Sequence, residues 1–404
     1  MEIEKAMTTI QMKSAESAIE KLGDVETTLN DFFYERDEVI HTSLLALITQ
    51  LNHFQIGPPG AAKTMIAEAL GKGIVGANYF YKLLSKSIPV DEILGPTSLK
   101  GIEEEDFRRA IDGFLPSSDI AMLDEVYKAG DAVCNPTLRM MNERKYRNGR
   151  TNIDVPLICV FGASNELYDG PALDAFHSRW TFKHEVDYVS EKESFTSMIT
   201  STRQRSSVDI SHIGLEIEEL RSAHELMKTI SLPDQCVEVL WNLRDSFRQE
   251  DIIVDDRKMV WIAREVLPAE ALIQGRDYVD IEDFAVLAHC LWDDIKDRDR
   301  IRAMILKIAN PLKDEIDRLV SAARGALKTA QKVVAESKGD ETARIQAGAD
   351  AQSDVKDILD NLNNRLQTST GKAQTIVERA LKTVRKTDER IIREVLRIRI
   401  GDGS

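Results

Sequence analysis

Apolar residues follow three different rhythms along this chain, and each predicts a different architecture. Between His53 and Val186, five short apolar runs (His53 to Ile56, Tyr79 to Leu84, Ile120 to Leu123, Leu157 to Ala163, Phe182 to Val186) alternate with helical stretches at Met65 to Ile74 and Ala132 to Met141. Strand-length runs separated by helix-length segments are what parallel strands with crossover helices require, so an α/β core is expected. Ahead of it, Val39, Leu44, Leu47, Ile48 and Leu51 recur at helical spacing and predict a helix from Asp31 to Gln50. Residues 1–30 are helix-compatible but poorly specified and predict a helical leader. Residues 191–300 are helical in pattern, with Pro233 and Pro268 as expected breaks, and form a smaller all-α domain.

Residues 301–404 have the third rhythm. Leu312, Ile316, Leu319, Ala323, Leu327, Ala330 and Val334 step by fours and threes, and so do Val377, Leu381, Val384, Ile391, Val395 and Ile398, with Asp388 in the seam. Val355, Ile358, Leu362 and Leu366 mark a weaker stripe between them, and the glycines of the SKGDE and STGKA segments stand where turns are expected. Narrow stripes of this kind suit three antiparallel helices of about 42 Å each, or a coiled-coil extension that pairs between subunits.

Composition narrows the class of protein. At 404 residues, 43% of them hydrophobic, the chain suits two or three domains. No stretch approaches the ~18 to 20 uninterrupted apolar residues of a spanning helix, and the start lacks the apolar run of a secretory signal, so a cytoplasmic protein is expected. Cys134, Cys159, Cys236 and Cys290 are scattered without the spacing of a zinc site or a disulfide framework, which predicts reduced, buried thiols. The net charge of -15 argues against a protein that coats nucleic acid. Residues 301–404 nevertheless carry 20 basic against 15 acidic side chains, which leaves the first 300 at -20. Opposite signs point to domains with different surfaces.

Three motifs fall on ends of the expected strands. Gly57, Pro58, Pro59, Gly60, Ala61, Ala62, Lys63 and Thr64 follow a short strand and open a helix at Met65. A phosphate-binding loop needs this context: backbone N–H groups wrap the phosphates, Lys63 reaches the outer ones and Thr64 ligates Mg2+. The strict pattern has Gly where Ala62 stands, and the extra methyl is tolerated if Ala62 takes a helix-like φ. The apolar run from Ile120 ends on Asp124 and Glu125. Adjacent residues leaving a strand point to opposite sides, so Asp124 can hold the Mg2+ shell while Glu125 faces the water that attacks the γ-phosphate of ATP. The run from Leu157 ends on Asn165, which reaches the γ-phosphate if its strand lies between the other two. An acidic pair after an apolar strand, or a turn-forming Asn, is common taken singly; the order of the three in one α/β core is what points to an ATPase. Arg179 precedes the last core strand and Arg257 opens a helix in the small domain; a lone arginine in such a place is usually a solvated surface residue, and these two stand out only through the resemblance that follows.

Read together, several stretches resemble the MoxR family of AAA+ ATPases and its RavA subfamily. They are Tyr34-Glu35-Arg36, the loop from Gly57 to Thr64, Glu92 to Pro96, Gly113 to Pro116, Leu123 to Glu125 with Lys128 to Gly130, the NERKYRNG block from Asn142 to Gly149, and Ala163 to Leu167. The similarity covers residues 30 to 300. It implies an AAA+ P-loop core with a parallel sheet over 31–190, an α-helical lid over 191–300, and a C-terminal helical domain over 301–404. It also implies that Asp124 and Glu125 form the Walker B pair, Asn165 is sensor 1, Arg179 the arginine finger and Arg257 sensor 2, with Tyr34, Glu35 and Arg36 beside the adenine. Further implications are a hexameric ring whose sites are completed by the adjacent subunit, an insertion near residues 95 to 118, and a hairpin around Lys145 to Pro156. The segment from Leu173 to Arg179 is longer than in close relatives. The small β-containing module that RavA proteins carry after the lid has no counterpart here, so partners that depend on it are not implied.

ATP-driven remodelling of a partner protein, together with a separate von Willebrand A-domain protein, is therefore the expected function. The alternatives are an ATP-gated assembly scaffold with weak hydrolysis and a nucleic-acid-associated motor. Intact Lys63, Asp124, Glu125 and Asn165 argue against the first, and the acidic body argues against the second.

Overall fold

The computed structural model of the chain describes residues 9–166, 174–201, 208–309, 311–336, 341–368 and 371–396. Residues 1–305 and 306–404 are two compact units. In the first, helices α1 (Thr9–Phe32) and α2 (Asp37–Thr49) precede strand β1 (His53–Ile56) and helix α3 (Lys63–Gly73). Strands β2 (Tyr79–Leu83) and β3 (Ile120–Asp124), the hairpin β4 (Lys145–Asn148) and β5 (Thr151–Asp154), and strands β6 (Cys159–Ser164) and β7 (Phe182–Glu185) follow. The five long-range strands make one parallel sheet in the order β2-β3-β6-β1-β7. Every expected strand is present, and β6 lies between β1 and β3.

The apolar composition of these strands follows from their position. β6 is buried along its whole length and β3 up to its last residue, because strands inside a parallel sheet are covered on both faces. Gly162 interrupts the apolar run of β6 for a packing reason: a Cβ there would lie 2.6 Å from the ring of the fully buried Trp180. Residues 95 to 118 hold the short helix Leu99–Glu103 and a 3-10 turn at Leu115–Ser117, with the helix Asp91–Leu94 just ahead of them, and the expected hairpin is β4–β5. The NERKYRNG block is a structural joint. Arg144 ends the helix Asp131–Glu143 in a left-handed conformation, and its guanidinium donates to the carbonyls of Met141 (2.8 Å), Ile158 (2.9 Å) and Gln50.

Two expectations are corrected here. The leader is well specified: Ala15, Ala18, Leu22, Val25 and Leu29 of α1 form a buried stripe at steps of three and four. Two of the five are alanines, whose low hydrophobicity hides the periodicity. The stripe packs beside the helix Ile217–Met227, where Lys21 Nζ meets both Glu219 oxygens at 2.7 and 2.8 Å and Ser17 Oγ donates to the same carboxylate. Pro268 does not break its helix. Helical backbone runs from Asp256 to Ile273, with a π turn over Ile262–Val266. The ring of Pro268 would strike the carbonyl of Arg264 in a regular α-helix, and the wider π turn containing Arg264 takes up that conflict. Pro233 does stand at a boundary, as the residue before the helix Asp234–Gln249. All four cysteines are free and buried.

In the second unit the helices Pro311–Glu336, Glu341–Thr368 and Gly371–Arg390 bury their stripes against one another within one chain, the last continuing as a π segment over Ile391–Leu396. Arg365, near the end of the second helix, pairs with Glu315, near the start of the first. Arg344, near the start of the second, donates to the carbonyls of Val395 (3.0 Å) and Leu396 (2.8 Å) at the end of the third. The middle helix therefore runs antiparallel to both. Asp388 sits in the seam with a buried oxygen that accepts no hydrogen bond, and burial raises its pKa. The side chain of Leu312, all of Ile398, residues 337–340 of SKGDE, and Ser369 and Thr370 of STGKA lie outside the described residues, as do Leu167 and Leu173.

Candidate nucleotide-binding site

Sheet register brings the three motifs to one edge. Ile56 pairs with Ser164 and Asp124 pairs with Ala163, so the residues that leave β1, β6 and β3 emerge side by side. Lys63 Nζ, on a largely buried side chain, donates to the carbonyls of Gly57 (2.6 Å) and Pro58 (2.8 Å) and to Asn165 Oδ1 (2.9 Å). Thr64 Oγ1 is 3.4 Å from Asp124 Oδ2. Asn165 Nδ2 donates to Glu125 Oε1, so Lys63, Asn165 and Glu125 form one continuous chain of polar contacts. Lys128 Nζ lies 3.3 Å from the other Glu125 oxygen.

The loop departs from expectation at Ala62, which has φ +68° and ψ 15° and is left-handed, not helix-like. The chain must reverse sharply between the exposed Pro59-Gly60 turn and α3, and position 62 takes that turn; a Cβ in this region costs about 1–2 kcal/mol. Ala62→Gly is therefore expected to stabilise the chain by roughly 1 kcal/mol, less the added flexibility of the unfolded state. Urea unfolding would read this, and a loss of stability would contradict it. Gly57 is required for a different reason: a Cβ there would lie 1.9 Å from the carbonyl oxygen of Val186, just past β7.

Glu125 also differs in its geometry. β3 ends at Asp124, and Glu125 is left-handed at φ +56°, so a backbone reversal and not the alternation of the strand turns its carboxylate toward Asn165. Such strain in a non-glycine residue persists where the surroundings hold it, here through Asn165 and Lys128. Burial, reinforced by Glu125, raises the pKa of Asp124, while its own hydrogen bonds and Lys63 oppose the rise. A half-buried carboxylate oxygen beside a hydroxyl is a hard donor pair suited to Mg2+, which takes few protein ligands and fills its shell from phosphate and water. The described residues contain no cluster of three or more His, Cys, Asp or Glu that could hold a metal without such help.

The segment Tyr34-Glu35-Arg36 borders the loop. Arg36 is buried and donates from Nε to Ala61 O (3.2 Å) and from Nη1 to Glu35 O (2.7 Å). Glu35, left-handed at φ +57°, accepts from the backbone of Ser190 and Glu191, both at 2.9 Å. Tyr34 is half-buried beside it. Met65 closes the first turn of α3 with its N–H 3.2 Å from Ala62 O.

Arg179 and Arg257 lie apart from this group. The carbonyl of Arg179 accepts from Asn52 Nδ2 (3.3 Å), and Asn52 immediately precedes β1. Arg179 thus stands at the edge where the strands begin, and the phosphate loop leaves where they end, about 13 Å away at 3.3 Å per residue of β1. Burial lowers the pKa of Arg179, and the positive charge of Arg257 lowers it further while Asp255 opposes. The Arg179 Nε is buried without a hydrogen-bond partner. Arg257 lies over the Trp261 ring, 5.2 Å from its centroid. The two arginines therefore neighbour each other. Sequence reasoning missed Tyr188, whose hydroxyl donates to Pro59 O at 3.2 Å, and Lys128 as a partner of Glu125. The i to i+3 spacing of Glu125 and Lys128 was the only signal for either.

A five-stranded parallel sheet with a phosphate loop after β1, an acidic pair at the end of β3 and a polar residue just past the intervening strand, followed by a helical domain, defines the AAA+ class. Residues 20–223 match the model of the MoxR domain in the MoxR-vWA-beta-propeller ternary systems, and residues 235–305 match an AAA lid domain. The chain belongs to the MoxR family of AAA+ ATPases. Relatives include two uncharacterized proteins of Methanocaldococcus jannaschii. One is 32% identical over 73% of this chain and 76% of its own length, the other 31% over 72% and 76%. Structural protein ORF618 of Acidianus two-tailed virus is 26% identical over 89% of this chain and 59% of its own. A crystal structure of a candidate ATPase from Cytophaga hutchinsonii shares the fold, with a TM-score of 0.58, 17% identity, and coverage of 74% of this chain and 97% of that one.

Proposed function

We propose that the chain hydrolyses ATP with Mg2+ and uses the cycle to remodel a partner protein. The observation that carries this reading is the convergence of Lys63, Thr64, Asp124, Glu125 and Asn165 at the ends of three adjacent strands. The loop from Gly57 to Thr64 wraps the phosphates, with Lys63 supplying charge to the outer ones. Thr64 and Asp124 would hold Mg2+, which when bound would neutralise charge on the phosphate oxygens. Glu125 takes a proton from the attacking water, and Asn165 orients that carboxylate. Tyr34 and Glu35 border the base.

Arg179 and Arg257 serve the triphosphate of a neighbouring copy, because the length of β1 separates Arg179 from the loop of its own chain and Arg257 lies beside it. This makes the pairing between copies head-to-tail, and the resemblance to MoxR and RavA-type proteins implies that it closes into a hexameric ring. Arg179→Ala is expected to lower turnover about 10^3-fold while leaving ATP binding intact. Mixed with Lys63→Ala chains, which keep the arginines, it should recover turnover well above either variant alone; no recovery would place the finger elsewhere.

The partner that the family description supports is a von Willebrand A-domain protein, with a β-propeller protein as a third member. No described helix is long and apolar enough to cross a membrane, and we place the cycle in the cytoplasm. A scaffold role has one observation in its favour, the likeness to a viral structural protein along most of the chain. Turnover by the assembled chain decides between them: less than about one ATP per hour, far under the usual enzyme range, favours the scaffold.

A further inference from the structure

The site leaves unused a cluster of charge in which buried Lys183, Lys258 and His177 converge on the partly exposed Asp293. Lys183 of β7, fully buried, donates from Nζ to Trp292 O and to Asp293 Oδ1, both at 2.8 Å. Lys258, also buried, donates to Asp293 Oδ2. The main-chain carbonyl of Asp293 lies 3.1 Å from His177 Nε2, and the Tyr127 hydroxyl is hydrogen-bonded to His177 Nδ1. Burial, with Lys183 and Lys258 adding to it against Asp293, pulls the His177 pKa down to about 3. A neutral imidazole has one N–H. Nε2 faces a carbonyl and must carry it, so Nδ1 accepts from the Tyr127 O–H. Burial and the neighbouring ammonium of Lys258 pull Lys183 down to about 8, while Asp293 opposes them. Against its own burial, the Asp293 carboxyl is held well below the usual range by Lys183 and Lys258.

Each of three arms of this cluster ends beside a residue of the site. Tyr127 is two residues after Glu125, His177 is two before Arg179, and Lys258 follows Arg257. Stability alone does not call for two buried lysines here, since apolar residues of similar volume fill a core as well. What the charges add is direction. Two ammonium groups bound to separate oxygens of one carboxylate hold the helix that begins at Asp256 against β7 in a single arrangement. The His177 bond ties the segment leading to Arg179 to the same point.

We propose that Asp293 is a positioning residue that sets Arg179 and Arg257 jointly for the triphosphate of a neighbouring copy. The proposal rests on the reading that both arginines act between copies. Asp293→Asn keeps the volume and removes the charge that holds Lys258. In the full chain it should lower turnover about 10- to 100-fold, the penalty of a catalytic group displaced by about 1 Å, with the KM for ATP within about two-fold because the phosphate loop is untouched.

Mixing separates this role from a general defect. Asp293→Asn chains keep their own nucleotide site, and Lys63→Ala chains keep their arginines, so the two together should turn over ATP well above either alone. Unchanged turnover by Asp293→Asn overturns the proposal. So does a failure to recover when the Arg179→Ala and Lys63→Ala pair does recover, since Asp293 would then act within its own copy. If that control pair also fails, the between-copy reading itself is wrong and the proposal falls with it. Should Asp293→Asn not fold, Lys258→Met, which removes one charge and leaves Lys183 paired with Asp293, takes its place with the same expected recovery. Should neither variant fold, the cluster is structural and the proposal is overturned.

Discussion

A chain carrying Glu125→Gln is expected to bind ATP as the unaltered chain does and to turn it over about 10^2- to 10^4-fold more slowly, the usual contribution of a positioned general base. Gln has the shape of Glu, so its side-chain oxygen still accepts from Asn165 Nδ2 and the left-handed turn at φ +56° is kept. The amide cannot take a proton from water. Lys63 and Thr64, the proposed phosphate-binding residues, are unchanged, so affinity and turnover should separate. Nucleotide titration and single-turnover phosphate release measure the two quantities independently. Normal phosphate release from this variant would remove Glu125 as the base and leave Asn165 without a carboxylate to orient.

Lys63→Ala has the other large effect, and it falls on binding. In the proposed site the ammonium is the positive charge offered to the phosphates, and hydrogen bonds to charged groups contribute about 1.5–3 kcal/mol each. Losing two of them weakens ATP affinity by roughly 100-fold or more. The fold should survive, because the carbonyls of Gly57 and Pro58 that Lys63 now contacts are on half-exposed residues that water can reach. Tight ATP binding by a folded Lys63→Ala chain would mean that the phosphates sit elsewhere. The same variant serves in the mixing experiments because it silences one site while leaving Arg179 and Arg257 in place.

Much of the site was legible because it is built from local signals. A phosphate loop must place glycine, lysine and threonine within eight residues, and a strand buried on both faces must be an uninterrupted apolar run; both constraints act on short stretches of chain. The five strands of the sheet were therefore recognisable, and so were Lys63, Thr64, Asp124, Glu125 and Asn165. Backbone reversals were not. The left-handed conformations of Ala62 and Glu125 depend on where the chain must go next, and neither residue type signals them. The leader was obscured in another way, since a stripe containing Ala15 and Ala18 has too little hydrophobic contrast to stand out, yet fits closely against a helix some 200 residues later.

What the amino-acid sequence determined by itself was the class of element at each place, the loop, and the residues able to meet a triphosphate. Only the tertiary structure decided that β6 lies between β1 and β3, that Arg179 stands at the opposite edge of the sheet from the loop with Arg257 beside it, and that Asp293 gathers Lys183, Lys258 and His177. The physical reason is range. Periodicity and turn chemistry are set by neighbours a few residues apart, whereas strand order and the pairing of buried lysines with Asp293 join groups separated by 35 to 129 positions. Those pairings are chosen by burial and the strength of electrostatics away from water, which no single stretch of chain encodes.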